Sequence, residues 1–235
     1  MNPLLILTAV ELEARALARQ LELPRLASFP FVAFGRGSVR LAPVGLRAAL
    51  CDSRWPGLLD GLGHPLVVSA GVCGALDPRL AHGDLVIPEC VIGPGGDVLA
   101  IPRSHHRAAV ARAGAAVCTG ALVSTAEIVA TPDAKALLHA ATGAVAVDME
   151  SAVIVARAAA FDCPALVVRG VSDDAREFLP PELVGLITPA GGLRVARALA
   201  LTVMRPAVLS RAFTLRRRTQ GALKAVARVL AALTS

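Results

Sequence analysis

The chain has 235 residues, of which 55% are hydrophobic and 18% are charged, a composition that excludes intrinsic disorder. No run of 18 apolar residues occurs without interruption, so no transmembrane helix is expected. The N-terminus lacks the basic start of a secretory signal, and the five cysteines are widely spaced, without a C-x-x-C pair. We therefore expect a cytoplasmic protein with reduced thiols and no metal site.

The net charge of +6 is distributed unevenly. No acid follows Glu182, whereas nine of the 24 basic residues do, so residues 1–182 carry 15 basic against 18 acidic side chains. A basic tail of this kind could contact an anionic surface. Aromatic residues make up only 3% of the chain, which leaves few side chains to stack on nucleic-acid bases. Nucleic acid is therefore not an expected partner.

Short apolar runs alternate with stretches of helical periodicity along the chain. In chain order the pattern predicts a strand at residues 4–9, a helix at 11–21, strands at 29–34, 39–44, 65–70 and 84–87, a helix at 104–113, strands at 116–118 and 121–123, a helix opened by Thr131, a strand at 145–147, a helix at 149–160, a strand at 165–168, and two tail helices divided near Pro206. This alternation is typical of an α/β protein with a largely parallel sheet. We predict one α/β domain over residues 1–189, with a mixed, mainly parallel sheet flanked by helices, and a basic helical extension over residues 190–235.

Polar residues follow three of the predicted strands, at the position where open α/β sheets bind ligands. The first segment is the glycine-rich stretch S-A-G-V-C-G-A-L-D-P at 69–78, whose small residues let backbone N–H groups approach an anion or a sugar. The second is V-D-M-E-S at 147–151, and the third is R-G-V-S-D-D-A at 169–175. Each segment could also be only a turn or a helix cap, and Asp148 is expected to cap the helix that follows it.

Together these segments resemble the nucleoside phosphorylase and nucleosidase family, which includes purine nucleoside phosphorylases and methylthioadenosine/S-adenosylhomocysteine nucleosidases. The resemblance spans residues 4–175 and rests on the pairing of V-D-M-E-S with R-G-V-S-D-D-A, and on the G-A-L-D-P segment that continues to Pro88. It implies a sheet curved towards a barrel, with active sites near the interface of a homodimer or a larger homo-oligomer.

The resemblance also implies roles for single residues. Asp173 matches the acid that protonates the departing purine, and burial would favour its protonated form near neutral pH. Glu150 matches the residue that binds the ribose hydroxyls. The other residues implied in substrate binding are Met149 at the sugar, Ile128 and Val129 at the base, Ser172, Gly71 and Val72. Ile128 stands where the family usually has an aromatic residue, so base stacking is expected to be weaker or differently made.

The identity of the nucleophile is open at this point. In the nucleosidases of the family a glutamate from the first strand–helix loop activates water, and Glu13 matches it in spacing. The alternative is that Glu13 belongs to the exposed face of its helix. Phosphorylases of the family bind phosphate through arginines that this chain lacks at the matching positions. Arg36, Arg40 and Arg47 could rebuild an anion site, so phosphate could still serve as a co-substrate; no other cofactor is expected.

The long basic tail further resembles the hopanoid-associated subgroup of nucleoside phosphorylases, which shares an L-P-P segment, here at residues 179–181. This resemblance implies release of adenine from adenosylhopane, in which adenosine is attached to a polycyclic lipid. The tail would then lie at the inner, anionic face of a membrane, or alternatively pack on the protein itself. The other interpretations are a methylthioadenosine/S-adenosylhomocysteine nucleosidase, a purine nucleoside phosphorylase, and a non-catalytic nucleoside-binding module, against which Glu150 and Asp173 argue.

Overall fold

The computed structural model describes residues 3–113, 117–179 and 206–234, with side chains of the last segment described from Arg216 onward. In this part of the chain the strands are β1 (Leu4–Thr8), β2 (Phe34–Arg36), β3 (Val39–Pro43), β4 (Leu66–Ala75), β5 (Leu85–Val86), β6 (Cys90–Ile92), β7 (Val98–Ala100), β8 (Val117–Cys118), β9 (Leu122–Ser124), β10 (Ala146–Asp148) and β11 (Ala165–Asp173). The helices are α1 (Glu11–Gln20), α2 (Cys51–Leu59), α3 (Arg103–Ala113), α4 (Pro132–Thr142), α5 (Ser151–Ala160) and α6 (Pro206–Thr234), with a 3-10 turn at Leu46–Ala48. The domain boundary predicted at residues 189 and 190, and the prolines of the L-P-P segment, lie outside the described residues.

The strands form one mixed, mainly parallel sheet around the long strand β4. β4 pairs in parallel with β1 and β11, and its last residues pair with β10 in the antiparallel direction. The sheet continues through β1 and β3 to β2, through β10, β9 and β6 to β7, and from β11 through β5 to β8. The residues of β1 and β11 are buried throughout, as expected for parallel strands with both faces covered. The predicted α/β class with a mainly parallel sheet is confirmed.

The glycine-rich stretch is a strand and not the loop that the sequence indicates. β4 continues through Gly71 to Ala75 because β11 pairs with it on one side and β10 on the other. Glycine and alanine have a weak intrinsic preference for the strand conformation, so this extension of β4 depends on its pairing with β10 and β11 in the folded sheet. The backbone of β4 thereby runs directly alongside the polar end of β11.

Three further differences from the prediction have local causes. Residues 29–33 are not a strand: Pro30 cannot donate a ladder hydrogen bond, and β2 begins only at Phe34. Helix α2 contains Pro56 in its last half, which hides its periodicity. Strands β6 and β7 have three residues each, too few to show an alternating pattern.

Two predicted helix starts have the expected capping contacts. The Thr131 hydroxyl accepts a hydrogen bond from the backbone N–H of Ala134 at 3.2 Å, and Pro132 follows as the first residue of α4. The Asp148 carboxylate accepts the backbone N–H of Ser151 at 3.2 Å, at the start of α5. Both interactions satisfy an N–H group that the first turn of a helix leaves unpaired.

The second half of α6 packs on β11 and contributes to the core. A Cβ atom added to Gly170 would lie 2.7 Å from the carbonyl oxygen of Ala222, so the helix backbone lies directly against the strand. The buried residues of this half are Ala222, Leu223, Ala225, Val226, Ala227, Val229 and Leu230, whereas Arg216, Arg217, Lys224 and Arg228 are exposed. Within the described ranges, no helix combines the length and the apolar character that crossing a bilayer requires.

Candidate active site

Arg169 is the buried centre of the polar cluster where β4 and β11 run side by side. It is 0% exposed, and its Nη2 atom lies 2.7 Å from Asp148 Oδ2. The same nitrogen donates to the hydroxyl oxygens of Ser69 at 2.8 Å and Ser151 at 3.0 Å. Burial opposes the charge of this side chain, but the surrounding carboxylates, Asp148 foremost, outweigh it and raise the pKa of Arg169 above its ordinary value.

Glu13 is buried in the first turn of α1, with 4% of its surface exposed, so the alternative of an exposed helix face is wrong. Its Oε1 accepts the backbone N–H of Val72 at 3.0 Å, and its Oε2 accepts that of Val10 at 3.3 Å. Burial raises the pKa of Glu13, and the charge of Arg169 opposes this shift. A Cβ atom at Gly71 would lie 2.7 Å from Glu13 Oε1 and 2.6 Å from Arg169 Nη1, so only glycine fits between these groups.

Glu150 precedes α5 and is likewise 4% exposed. Its Oε1 accepts the backbone N–H of Arg47 at 3.0 Å, and Arg47 has the unusual φ of 55° in the 3-10 turn. Burial, followed by the nearby carboxylate of Asp148, raises the pKa of Glu150 to about 7. Three carboxylates, those of Glu13, Asp148 and Glu150, therefore surround one buried guanidinium.

We expect Glu150→Gln to change how stability depends on pH. Because the pKa of Glu150 rises from 4.5 to about 7 on folding, the folded protein binds this proton more tightly than the unfolded chain. The free energy of unfolding of the wild type should therefore fall as the pH rises from 4.5 to 7, and this group should account for up to about 3 kcal/mol of the loss. Glutamine carries no charge, so the Tm of the variant relative to wild type should increase from pH 4.5 to pH 7. A thermal unfolding series checks this; a constant Tm difference over the range would contradict it.

Asp173, at the end of β11, is paired with a buried lysine. Its Oδ1 accepts the Ser172 hydroxyl at 2.8 Å, and its Oδ2 accepts Lys135 Nζ at 2.6 Å. Lys135 is 0% exposed and also donates to the backbone carbonyls of Asp174 at 2.7 Å and Glu177 at 3.3 Å. The sequence indicates the burial of Asp173 but not the buried cation beside it. Removing one partner of such a buried pair typically costs about 3–5 kcal/mol.

Glu13 and Asp173 adjoin the same stretch of β4. A Cβ atom at Gly74 would lie 2.8 Å from Asp173 Oδ2, and one at Gly71 would lie 2.7 Å from Glu13 Oε1. The two glycines are three positions apart along the strand, a backbone distance of about 10 Å. Two small residues thus let two buried carboxylates approach one strand, and Ser172 adds a bond to the carbonyl of Cys73 at 3.2 Å.

The residues predicted to hold the sugar and the base are Met149, Ile128 and Val129. Met149 is half-buried directly before Glu150, and Ile128 is 37% exposed. The loop that carries Ile128 is joined to the segment after Asp173 by one hydrogen bond, in which the N–H of Leu179 donates to the carbonyl of Ala130 at 2.9 Å. The structure therefore brings this loop next to the end of β11, and the roles of its side chains stay predictions.

Two of the three arginines considered for an anion site bind elsewhere. Arg36 donates to the carbonyl of Glu22 at 2.7 Å, and Arg40 donates to the carbonyl of Leu58 at 2.8 Å. Arg47 contacts Glu150 through its backbone N–H, and its side chain is exposed. A phosphate site built from these three side chains is therefore not assembled in the described part of the chain.

A cluster of His82, Asp174 and Glu177 lies just beyond Asp173, with ligand atoms within 4.8 Å of one another. His82 Nε2 lies 2.9 Å from Glu177 Oε2, while its other nitrogen faces Asp174 Oδ2 at 3.9 Å. Arg218 from α6 lies 2.6 Å from the second oxygen of Glu177. Since different imidazole nitrogens face the two carboxylates and a guanidinium already balances one of them, this is an ion-pair network that holds the segment after β11.

Sequence reasoning missed Lys135 and included Arg169 only as part of a motif. The chain has 22 arginines but only two lysines, Lys135 and Lys224. A lysine at 135, within the apolar start of a helix in a chain that otherwise uses arginine, was a usable signal. The pairing of Arg169 with Asp148 had no such signal, because it depends on how the strands are ordered in the sheet.

The profile of the phosphorylase superfamily matches residues 3–203. A 5′-methylthioadenosine/S-adenosylhomocysteine nucleosidase from Neisseria meningitidis, solved in complex with methylthio-immucillin-A, is similar with a TM-score of 0.74 and 20% identity over 100% of this chain and 99% of that chain. Native futalosine hydrolase of Helicobacter pylori has a TM-score of 0.73 and 16% identity over 99% and 97% of the two chains. The 5′-methylthioadenosine/S-adenosylhomocysteine nucleosidase from Helicobacter pylori, with butyl-thio-DADMe-Immucillin-A, has a TM-score of 0.72 and 18% identity over 98% and 96%. A search of curated proteins gave no match. These structures share the fold, and the profile match shows that the chain belongs to the phosphorylase superfamily.

Proposed function

We propose that this protein cleaves the N-glycosidic bond of an adenosyl substrate and releases adenine. The observation that carries the proposal is the placement of two buried carboxylates, Glu13 and Asp173, along one stretch of β4, with Arg169 and Glu150 adjoining. Membership of the phosphorylase superfamily supports it, as does the shared fold with proteins named as nucleosidases and as a futalosine hydrolase.

Asp173 is the proposed proton donor. As the bond between the sugar carbon and the purine nitrogen breaks, its electron pair moves into the base, and a proton on the purine neutralises that charge. The Asp173 carboxyl gives this proton, and the Ser172 hydroxyl fixes its Oδ1 at 2.8 Å. A non-catalytic binding module has no need of a buried acid held in this way.

Glu150 is the proposed contact for the ribose hydroxyls. Its Oε1 is already bonded to the N–H of Arg47, which leaves Oε2 to accept from the sugar. The sugar becomes positively charged as the base departs, and an ionised Glu150 beside the sugar stabilises the charge that develops in the transition state.

Water is the proposed nucleophile, and Glu13 is its base. Two backbone N–H groups, from Val72 and Val10, hold the carboxylate, and its raised pKa makes it a better proton acceptor than an exposed glutamate. Water then attacks the sugar carbon, Glu13 takes its proton, and a sugar with a free hydroxyl forms. Hydrolysis is favoured over phosphorolysis because Arg36 and Arg40 bind backbone carbonyls elsewhere.

The proposed substrate is adenosylhopane, on the resemblance of the long basic tail to the hopanoid-associated subgroup. Methylthioadenosine or S-adenosylhomocysteine is the alternative. The test incubates the full chain with adenosylhopane, adenosine, methylthioadenosine and S-adenosylhomocysteine, with and without phosphate, and identifies the base and the sugar product. We expect adenine and a free sugar, with the lipid nucleoside turned over fastest. Absence of base release from all four nucleosides would contradict the proposed function.

We also propose a cytoplasmic homo-oligomer with peripheral contact to anionic membranes through the tail. Because half of α6 is buried in the core, the test reverses exposed charges and leaves the helix in place. Arg216→Glu/Arg217→Glu should weaken co-sedimentation with anionic liposomes by more than about tenfold at low salt, since each cation contributes about 1 kcal/mol at such a surface. Arg103→Glu/Arg107→Glu, on the exposed side of α3, is the matched control and should have little effect. Equal loss in both variants, or no wild-type binding at low salt, would contradict the membrane contact.

A further inference from the structure

Lys135 is the buried partner of Asp173, and every hydrogen of its ammonium group has a described acceptor. Nζ lies 2.6 Å from Asp173 Oδ2, 2.7 Å from the carbonyl of Asp174 and 3.3 Å from that of Glu177. An ammonium group has three donors, and these three acceptors use all of them. The side chain is 0% exposed, so its charge is balanced within the protein and not by solvent.

The choice of lysine at this position is unusual for the chain. Arginine is its common basic residue, with 22 instances against two lysines. An ammonium group is a compact point charge, whereas a guanidinium is a wide planar group that binds a carboxylate through two parallel bonds. At Asp173 a two-bond contact would occupy both oxygens, whereas the lysine contacts Oδ2 and leaves Oδ1 to accept from Ser172.

We propose that Lys135 is a positioning residue that acts through Asp173: it holds Oδ2 and stabilises the carboxylate that forms when Asp173 gives its proton to the leaving base. This inference rests on the proposed function. In the step, the O–H bond of Asp173 and the glycosidic bond break, an N–H bond forms on the base, and Lys135 keeps its three protons. The ammonium interacts more strongly with the charged carboxylate than with the neutral carboxyl, so it favours the transition state over the bound substrate and raises kcat.

Other charged groups lie close to this pair, and the test has to separate them from it. The Asp174 and Glu177 side chains face His82, and Arg218 from α6 binds Glu177. His82 contacts both of these carboxylates, so its replacement disturbs the segment that follows Asp173. His82→Gln is therefore the matched control, because it alters the same segment and leaves the charge beside Asp173 Oδ2 in place.

The first measurement compares Lys135→Met with wild type. Methionine keeps the length of the side chain and removes its charge. We expect kcat for adenine release to fall by about 10²-fold, with KM within about threefold. His82→Gln should keep the wild-type kcat and KM; a kcat in Lys135→Met within about threefold of the wild-type value would overturn the proposal.

The second measurement removes both charges, because Lys135→Met alone leaves the buried carboxyl group of Asp173 without its partner and could fail to fold. The double variant Lys135→Met/Asp173→Asn has neither charge. The Tm of each variant reports whether it folds. If Lys135 acts through Asp173, its replacement should change single-turnover adenine release by less than about threefold in the Asp173→Asn background. An effect as large as that in the wild-type background would show a merely structural role and overturn the proposal.

The outcomes also separate this inference from the proposed function. If wild type releases no base from any nucleoside, the proposed function fails, and this inference fails with it. If wild type is active and Asp173→Asn is inactive while Lys135→Met behaves as wild type, only the role of Lys135 is contradicted.

Discussion

Asp173→Asn should lower kcat for adenine release by about 10²- to 10⁴-fold, the contribution usually made by a general acid. Asparagine keeps the shape of the side chain and can still accept from Ser172, but it has no acidic proton to give to the base. Substrate binding should change far less than kcat, because the lost interaction belongs to the transition state. Steady-state kinetics on an adenosyl nucleoside measures both parameters.

The adjacent acid provides the control for this prediction. Asp174 follows Asp173 directly, faces His82 at 3.9 Å and has a partly exposed side chain. Asp174→Asn removes the same charge one residue further along, and its kcat should stay close to that of wild type. A turnover near wild type in Asp173→Asn, or an equal loss in both variants, would remove Asp173 from the role of proton donor.

Glu13→Gln should lower base release by a similar factor, about 10²- to 10⁴-fold, because an amide cannot take a proton from water. The amide also puts an N–H₂ group towards either Val72 or Val10, each of which now donates to the carboxylate. Tm should therefore be measured beside activity. In wild type, the sugar product should be free sugar in equal yield with and without phosphate.

Glu11→Gln is the matched control for Glu13→Gln, since Glu11 lies in the same turn of α1 and its side chain pairs with Arg15 on the surface. Its activity should equal that of wild type. A strict requirement for phosphate, with a sugar 1-phosphate as product, would contradict water as the nucleophile and assign the enzyme to phosphorolysis. Full activity of Glu13→Gln would remove Glu13 from the mechanism altogether.

Much of the fold follows from local patterns in the sequence. The apolar runs that predict β1, β3 and β11 are buried strands, and Thr131 caps α4 as predicted, because each of these signals acts within a few residues. The extension of β4 through Gly71 could not be predicted in this way. Its strand conformation comes from β10 and β11, which lie far along the chain.

The residues of the candidate site likewise fall into those that local sequence predicts and those that depend on distant segments. Glu150 and Asp173 could be named because they fall within motifs, and Glu13 because its spacing after the first strand matches the family; all three are buried. The groups that govern their charge could not be named. Lys135 meets Asp173 only once helix α4 lies against the end of β11, and Asp148 meets Arg169 only once β10 and β11 have both paired with β4. Electrostatic pairing between distant segments is a property of the tertiary structure.

The contact between Gly170 and Ala222 also sets an order for assembly during synthesis. Strands β1 and β4 lie within the first 75 residues and can pair while the chain is still being made. The strand that carries Arg169 and Asp173 keeps one face uncovered until α6, which begins at Pro206, has left the ribosome. Domains generally form as their segments emerge, and contacts between distant segments close late. Strand β11 is therefore fully covered only late in synthesis, and a nascent chain halted before α6 would expose apolar strand surface to chaperones.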